Sequence, residues 1–389
     1  MHEAAAAIDA SRRRGPFREA WSSLGRATKL ALAAAAVAAI ARAVASWIPD
    51  WTETGYSRGV YPWIQHSQSA LARLSPISLG EVTTLLAMGV ALALCARAIR
   101  AALEPTSDRS VRIARELLRL AAFGGALYAL YMFGWGLNYA RAPYAQGTAL
   151  ELRPADAAEL EDATREWMQR ASELRERLGE DSQGTVSLQI EFRELAQLVD
   201  EAWLRAGLHD SRLEGPQPAL RASNVSSLMR SAGISGIYWP FTGEPHINAL
   251  VPPSQLAFSA LHEVAHQRGF AREDEANYLA CRVGVDSSDP RLAYPAALAA
   301  FLHLSRGLRE ADAERAKQLE AEVPAALRRD RAALAAFWKP STPLVASVRE
   351  ASSRVNDAYL KSQGQAQGVR SYGRMVDLLL AERRAAQAR

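Results

Sequence analysis

Cysteine is nearly absent: Cys95 and Cys281 are the only two in 389 residues. Both sit in apolar helical stretches far apart in sequence, so no disulfide framework is implied and no compartment is specified. A large charge of one sign is also missing. The formal net charge is +4 and is spread along the chain, which leaves no basic footprint for nucleic acid. There is no internal repeat, and no low-complexity tract beyond an alanine-rich segment near the N-terminus. Strand-like patterning is confined to one short stretch. What remains is a mainly α chain, half hydrophobic and long enough for two to three domains.

Three long apolar segments are present. They are Leu30–Ile48 (LALAAAAVAAIARAVASWI), Ile77–Ala96 (ISLGEVTTLLAMGVALALCA) and Leu117–Tyr139 (LLRLAAFGGALYALYMFGWGLNY). Each has about the length, roughly 20 residues, that crosses a bilayer as a helix. Trp47, Trp51, Trp63, Trp135 and Tyr139 fall at or near segment ends, where interfacial aromatic anchors belong. Arg12, Arg13, Arg14, Arg18, Arg26 and Lys29 precede the first segment, and Arg97, Arg100, Arg109 and Arg112 separate the second from the third. The positive-inside rule then expects residues 1–29 in the cytoplasm, three helices over residues 30–140, and residues 141–389 on the extracytoplasmic side of an inner membrane. A cleaved signal peptide ending at "AVAS" is the rival reading of segment one, against which the long leader argues. Arg42 and Glu81 lie inside these segments. Snorkelling toward the interface is the expected behaviour, a pair or a polar pathway the alternative.

The remainder reads as amphipathic helices: Ala155–Arg177, Ser187–Ala206, Leu292–Arg309, Ala311–Phe337 with a possible break at Pro324, Leu344–Lys361 and Tyr372–Arg384. One stretch, "GISGIYWPFTGEPHINALVPP", reads as a β-hairpin. Ile237–Trp239 and His246–Val251 flank a Thr242-Gly243-Glu244 turn, and Ser254 is placed to cap the next helix.

That helix carries "HEVAHQRGFAREDEANYLA". His262 and His266 are four apart, so their side chains share a helix face within reach of a single ion. Neutral imidazole nitrogen suits Zn2+ at about 2.0–2.1 Å. Glu263 points to a neighbouring edge of that face, placed to act on a water as general base. A catalytic zinc wants a third protein ligand. Along an unbroken helix Glu273 would lie roughly 10 Å beyond His266, too far. Gly269 can take the left-handed conformation that ends a helix and turns the chain. A second helix from about Arg272 would then return Glu273 to the metal, with Glu275 and then Asp274 as competing ligands. Asn277, one turn further, is placed to orient a ligand. Arg268 and Arg272 are expected to pair with the acidic cluster.

HExxH followed by Glu273-Asp274-Glu275-Ala276-Asn277 resembles the glutamate-zincin metallopeptidases. The resemblance implies Glu273 as third ligand and a zincin-like domain. It also implies that substrate adds as a strand to an edge beside the metal helix, here His246–Val251. His246, Asn248 and Leu250 are then the substrate-binding candidates, with a plain strand role open for His246. For the developing oxyanion such enzymes use a distant His or Tyr; Tyr372 in "SYGR" is the first choice and Tyr359 in "NDAY" the second. Over most of its length the chain is also similar to a bacterial family known as domain of unknown function 3810. The similarity is carried by "GWGLNYAR", "PFTGEPHIN", "HEVAHQRGFAREDEAN" and "VNDAYLKSQGQ…GVRSYGR"; that family brings no substrate. The expectation is a membrane-anchored zinc metallopeptidase acting on peptides or proteins at the lipid bilayer. A non-catalytic zincin-fold sensor or scaffold that binds peptides or envelope components is the alternative.

Overall fold

The computed structural model describes residues 15–365 and 374–388. Helix α1 (Pro16–Ser23) leads into α2 (Arg26–Trp47). A helical turn at Pro49–Trp51, a π-helical stretch at Thr52–Val60 and α3 (Tyr61–Leu74) follow, then α4 (Leu79–Leu103) and α5 (Arg109–Gly134). Helices α2, α4 and α5 are long and apolar enough to cross a membrane, and α2 and α4 both pack along α5.

The ends of these helices differ from the sequence expectation. Arg97 and Arg100 continue α4, and α5 begins at Arg109. Arginine is a good helix former and its long stem lets the charge stay at the surface, so basic residues do not end a helix. Helix α5 stops at Gly134 because Trp135 takes a φ of −161°, after which Gly136–Ala140 winds as a 3₁₀ turn. The last six residues of "GWGLNYAR" are therefore folded against the rest of the protein, and Gly136–Arg141 is buried throughout.

The remaining elements are α6 (Ala157–Arg175), β1 (Gly179–Glu180), β2 (Val186–Ser187), α7 (Phe192–His209), β3 (Arg221–Ala222), α8 (Ser226–Ala232), β4 (Gly236–Trp239) and β5 (Glu244–Ile247). They are followed by α9 (Pro253–Gln267), α10 (Glu273–Val285), α11 (Pro290–Ala311), α12 (Ala313–Glu322), α13 (Ala325–Trp338), α14 (Pro343–Ser362) and α15 (Met375–Gln387). Side-chain caps start several of them: Asp156 accepts from Glu159 N at 2.8 Å, Asp289 from Arg291 N at 2.8 Å, and Asp312 from Glu314 N and Arg315 N at 3.0 Å. Pro324 separates α12 from α13 by holding Val323 at ψ 125°, outside the helical region. Pro252, not Ser254, stands at the cap of α9. The core gathers α9, α10 and α11 with α6, α7 and α15 around fully buried Trp203, Leu261, Leu279, Tyr294 and Phe301.

The hairpin forms, but its second strand is Glu244–Ile247 and not His246–Val251, and its neighbourhood differs from the one expected. Strand β5 ends at Ile247, and the order in the sheet is β3-β5-β4, with β3 parallel and β4 antiparallel to β5. The strand expected at an edge is thus the central one, and the edge beside α9 is β4. Pairing on both sides consumes the backbone groups of β5, so it cannot accept an added strand.

Arg42 and Glu81 also correct the expectation: they neither snorkel nor pair. Arg42 Nη2 donates to Gln363 O at 2.7 Å, and Glu81 accepts from Ser223 Oγ, Asn224 N and Asn224 Nδ2 at 2.7–2.9 Å. Each fastens a segment of the later chain to an apolar helix. The same junction has a buried centre in Glu244, fully inaccessible, which accepts from Leu79 N at 3.2 Å, Gly80 N at 2.5 Å, Thr242 Oγ1 at 2.8 Å and Arg221 Nε at 3.1 Å. A carboxylate at the N-terminus of α4 meets the positive end of the helix dipole as well as its free amides. Glu244→Ala leaves Arg221 Nε and two amides without their acceptor, while Arg221 Nη2 keeps Ala72 O and Ser75 O. It is expected to lower stability by about 3–5 kcal/mol, read as a fall in thermal midpoint of the full chain; an unchanged midpoint would show that the junction does not hold the sheet to α4.

Candidate metal centre

Helix α9 ends where the sequence predicts a turn. Gly269 has φ +82°, Gly269 N donates to His266 O at 3.0 Å and Phe270 N to Ala265 O at 3.1 Å. This is the left-handed glycine cap that satisfies carbonyls at a helix C-terminus. A Cβ at position 269 would stand 3.1 Å from Asn138 Oδ1 and from the Tyr61 ring, so both the φ and the space require glycine. The chain then reverses over Phe270–Arg272, and α10 begins at Glu273.

The reversal brings three donors together. His262 Nε2 and His266 Nε2 are 3.0 Å apart, and Glu273 Oε2 lies 3.3 Å from the first and 3.6 Å from the second. Four-coordinate ligands about 2.0–2.1 Å from an ion stand about 3.3 Å from one another, so the spacing fits one small cation. The proton positions agree. His266 Nδ1 lies 2.8 Å from Phe270 O; a carbonyl can only accept, so Nδ1 carries a hydrogen and, in the neutral ring, the lone pair is on Nε2, facing inward. Glu273 Oε2 and His262 Nδ1 are buried with no hydrogen-bond partner among the described residues. His262, His266 and Glu273 could hold a metal ion.

Glu275 does not join them. Its Oε1 accepts from Tyr144 N at 2.8 Å and Arg272 Nη1 at 2.9 Å. Asp274 donates no ligand to the group; its Oδ1 accepts from Glu275 N at 3.0 Å. Arg268 departs from expectation: it is buried over the Trp203 ring at 5.9 Å, with Asp200 as its acidic neighbour, and burial lowers its guanidinium to about 10. Asn277 is buried one turn after Glu273, and its Nδ2 has no hydrogen-bond partner among the described residues.

Glu263 is buried beside the donors. Burial pushes its carboxyl above the ordinary value, against the pull of His262 and His266. It rests on Gly236 of the edge strand: a Cβ there would fall 2.6 Å from Glu263 Oε1 and Cγ. Pro245, opposite Tyr238, has no N–H to give, so the pair Tyr238–Pro245 is a non-hydrogen-bonded one. Gly236 and Tyr238 therefore turn their backbone groups away from β5, and the Tyr238 amide supports the Glu263 carboxylate.

The substrate-binding candidates His246, Asn248 and Leu250 are not brought to the metal donors. His246 Nδ1 donates to Glu244 O at 3.1 Å, leaving Nε2 to accept from Ser78 Oγ at 2.7 Å, the residue that caps α4. Burial lowers its pKa, in keeping with that neutral ring. Asn248 donates to Ile234 O at 3.0 Å and accepts from Leu250 N at 3.1 Å, closing the turn after β5, and Leu250 is exposed there. Tyr372 lies outside the described residues.

An aromatic wall that the sequence did not announce lines the centre. Trp135 meets the His266 ring edge-on at 6.0 Å and donates Nε1 to His266 O at 2.9 Å. Tyr238 and Tyr139 each lie 5.5 Å from Trp135, and Tyr139 lies 6.0 Å from Tyr359. The Tyr359 and Tyr131 hydroxyls are 2.6 Å apart. Burial, then the negative charge of Glu273, holds the Tyr359 phenol above its usual range, so it keeps its proton at neutral pH. Apolar length at residues 117–139 hid Trp135 and Tyr139, because a wall of aromatics at a helix end reads as a membrane anchor.

Fold and site together define a mainly helical protein with three helices of membrane-spanning length and a buried His-His-Glu constellation. The chain belongs to the family described as Protein of unknown function (DUF3810), which it matches over residues 56–380. No curated protein and no solved structure matches it.

Two outcomes test the ligand set. In the purified full chain Glu273→Ala should abolish binding of a stoichiometric divalent cation, measured by elemental analysis, while Glu275→Ala should retain it; the reverse pattern would exchange their roles. Affinity should also depend on pH. When no cation is bound, burial works against the His266 imidazolium but Glu273 outweighs it and raises the pKa to about 9. A cation must displace that proton, so affinity should rise by up to about tenfold per pH unit from pH 6 toward 9 and flatten above. Competition with a chromophoric chelator reads this slope; a flat profile would mean that His266 is already neutral.

Proposed function

We propose that this chain is a membrane-anchored zinc-dependent metallopeptidase with a zincin-like catalytic domain. The observation that carries the reading is the convergence of His262 Nε2, His266 Nε2 and Glu273 Oε2 with Glu263 buried beside them on the same helix. Two imidazoles and one carboxylate form a catalytic rather than a structural zinc set, because three protein ligands leave a coordination position open. A zinc ion there supplies Lewis acidity that polarises a peptide carbonyl and brings the pKa of water to about 7.

The chain's own groups do the rest. Glu263 takes a proton from the attacking water as its oxygen bonds to the carbonyl carbon. It returns that proton to the amine nitrogen as the C–N bond breaks. Its raised pKa suits a group that must both accept and give up a proton. Tyr359, protonated and close enough to Glu273 to feel its charge, is the candidate donor to the oxyanion among the described residues. The edge strand β4, through Gly236 and Tyr238, lies beside Glu263 and aligns an extended peptide by its backbone. The basic residues of the α4–α5 turn, Arg97, Arg100, Arg109 and Arg112, lie at the far ends of those helices from the sheet. They support an orientation with the catalytic part extracytoplasmic and its substrates peptides or proteins near the membrane.

Glu263→Gln should keep about one zinc per chain yet lose about 10²–10⁴-fold in turnover, assayed on a quenched-fluorescence peptide library with the full chain in detergent. Gly236→Ala should behave likewise, because a Cβ displaces the Glu263 carboxylate without touching the zinc ligands. A zinc-loaded wild type that cleaves no member of the library would replace this reading with the binding scaffold.

A further inference from the structure

The elements of the sheet and of α14 are fastened below the ends of the three apolar helices. Trp239 Nε1 donates to Thr83 Oγ1 at 3.3 Å, and Ser223 and Asn224, just before α8, hold Glu81. At its far end α14 meets Arg42 of α2 through Gln363 O and Tyr131 of α5 through Tyr359. Thr83 lies after Leu79, Arg42 before Trp47 and Tyr131 before Gly134. At 1.5 Å of rise per residue these anchor points are roughly 4–8 Å inside the helix ends. Where these helices cross a membrane, elements tied at such depth fall level with its surface, in the headgroup region.

Those same elements expose apolar side chains. Val225 is 48% exposed, Leu228 65%, Ile237 39%, Leu344 73%, Val348 37% and Val355 70%. On α14, turning about 100° per residue, Leu344, Val348, Val355 and Tyr359 fall within an arc of about 60°. Glu350 and Arg354, exposed and paired with each other, occupy a different flank of the helix. A solvated helix has no reason to segregate its exposed residues in this way, whereas a helix lying in an interface does. The two contacts that tie α14 to α2 and α5, Arg42 with Gln363 O and Tyr131 with Tyr359, set the stripe next to helices that also expose apolar side chains, Val44 and Trp47 on α2 and Leu130 and Phe133 on α5.

We propose that this face, built by α8, β4 and α14, is immersed in the lipid headgroup and upper acyl region of the membrane that the three helices cross. Lipid is its partner, and Tyr359, on the same stripe, sets the metal centre at the level of the lipid surface. The inference rests on those helices being membrane spans; it does not depend on zinc or turnover.

The test uses the full chain in phosphatidylcholine–phosphatidylglycerol nanodiscs. The native Cys95, exposed on α4, reports insertion, and Cys281 is fully buried. In a Cys95→Ala background, Leu344→Cys, Val348→Cys and Val355→Cys carry an environment-sensitive fluorophore one at a time, with Glu350→Cys and Arg354→Cys as the polar flank. Nitroxide-bearing lipids should quench the first three severalfold more strongly than the last two, and a water-soluble quencher should do the opposite. Lipid quenching at Cys95 without quenching at the stripe would overturn the proposal and leave the spans intact. No lipid quenching at Cys95 would overturn both. Protection of the stripe from lipid and aqueous quenchers alike would assign the face to a protein partner and overturn it too.

Discussion

The C-terminus of an α-helix leaves carbonyls that nothing within the helix can satisfy, and α9 ends deep inside the protein. Side chains from the N-terminal part of the chain meet that need. Trp135 Nε1 donates to His266 O at 2.9 Å, Tyr61 Oη and Gln65 Nε2 to Gln267 O at 2.6 and 2.7 Å, and Arg141 Nη1 to Gly269 O at 3.0 Å. Arg141 is itself held by both oxygens of Glu53 at 2.7 Å. The helix that carries the histidines is thus capped by Trp135 and Arg141, just after α5, and by Tyr61 and Gln65 of α3, which lies between the apolar helices α2 and α4. The apolar helices and the candidate metal centre form one hydrogen-bonded structure, and neither end of this interaction could be removed without leaving buried polar groups unpaired, at about 1–3 kcal/mol each.

That capping decides where Glu273 can be. With the last carbonyls of α9 fixed, Gly269 turns the chain in one direction, and α10 must start where its first carboxylate faces His262 and His266. Burial then acts against every charge in the group. It favours neutral Glu273 and neutral His266, yet Glu273 stays far below its usual range and His266 rises to about 9. Opposite unit charges about 4 Å apart attract by about 4 kcal/mol even at an effective dielectric of 20. Without a cation the carboxylate is therefore balanced by the His266 proton in a dry place, and a metal cation that takes over that balance must displace the proton.

Much of this was legible in the sequence, and the limits have physical causes. Three runs of apolar residues announced three long helices, because transfer of such runs to lipid depends on composition alone. Their ends were misread because arginine is tolerated inside helices. The i, i+4 spacing of His262 and His266 and the glycine at 269 announced the local geometry, since both are properties of a few consecutive residues. What failed was non-local. Nothing in the residues of β5 says that β3, more than twenty positions earlier, will pair on its other side and make it central. Nothing in Arg42 or Glu81 names Gln363 or Asn224 as partners. Trp135 looked like a membrane anchor, and Tyr359 like one tyrosine among several, until the fold placed Trp135 against His266 and Tyr359 against Tyr139 on the same aromatic wall.

The segment "PFTGEPHIN" shows how far such a misreading reaches. Taken as a substrate-binding strand, it would leave the site free of the apolar helices, and His246 would face a peptide. In the structure Glu244 and His246 face the other way and hold Gly80, Leu79 and Ser78, while a Cβ at Gly80 would fall 2.8 Å from His246 Cε1 and 2.9 Å from Trp239 Cδ1. The contact is too close for any residue but glycine, and it puts the start of α4 directly under the sheet. One face of the sheet therefore supports Glu263 through Gly236, and the opposite face rests on the end of α4. A sheet this small, held on both sides, cannot shift on one side without shifting on the other, so the position of the candidate general base depends on how α4 sits.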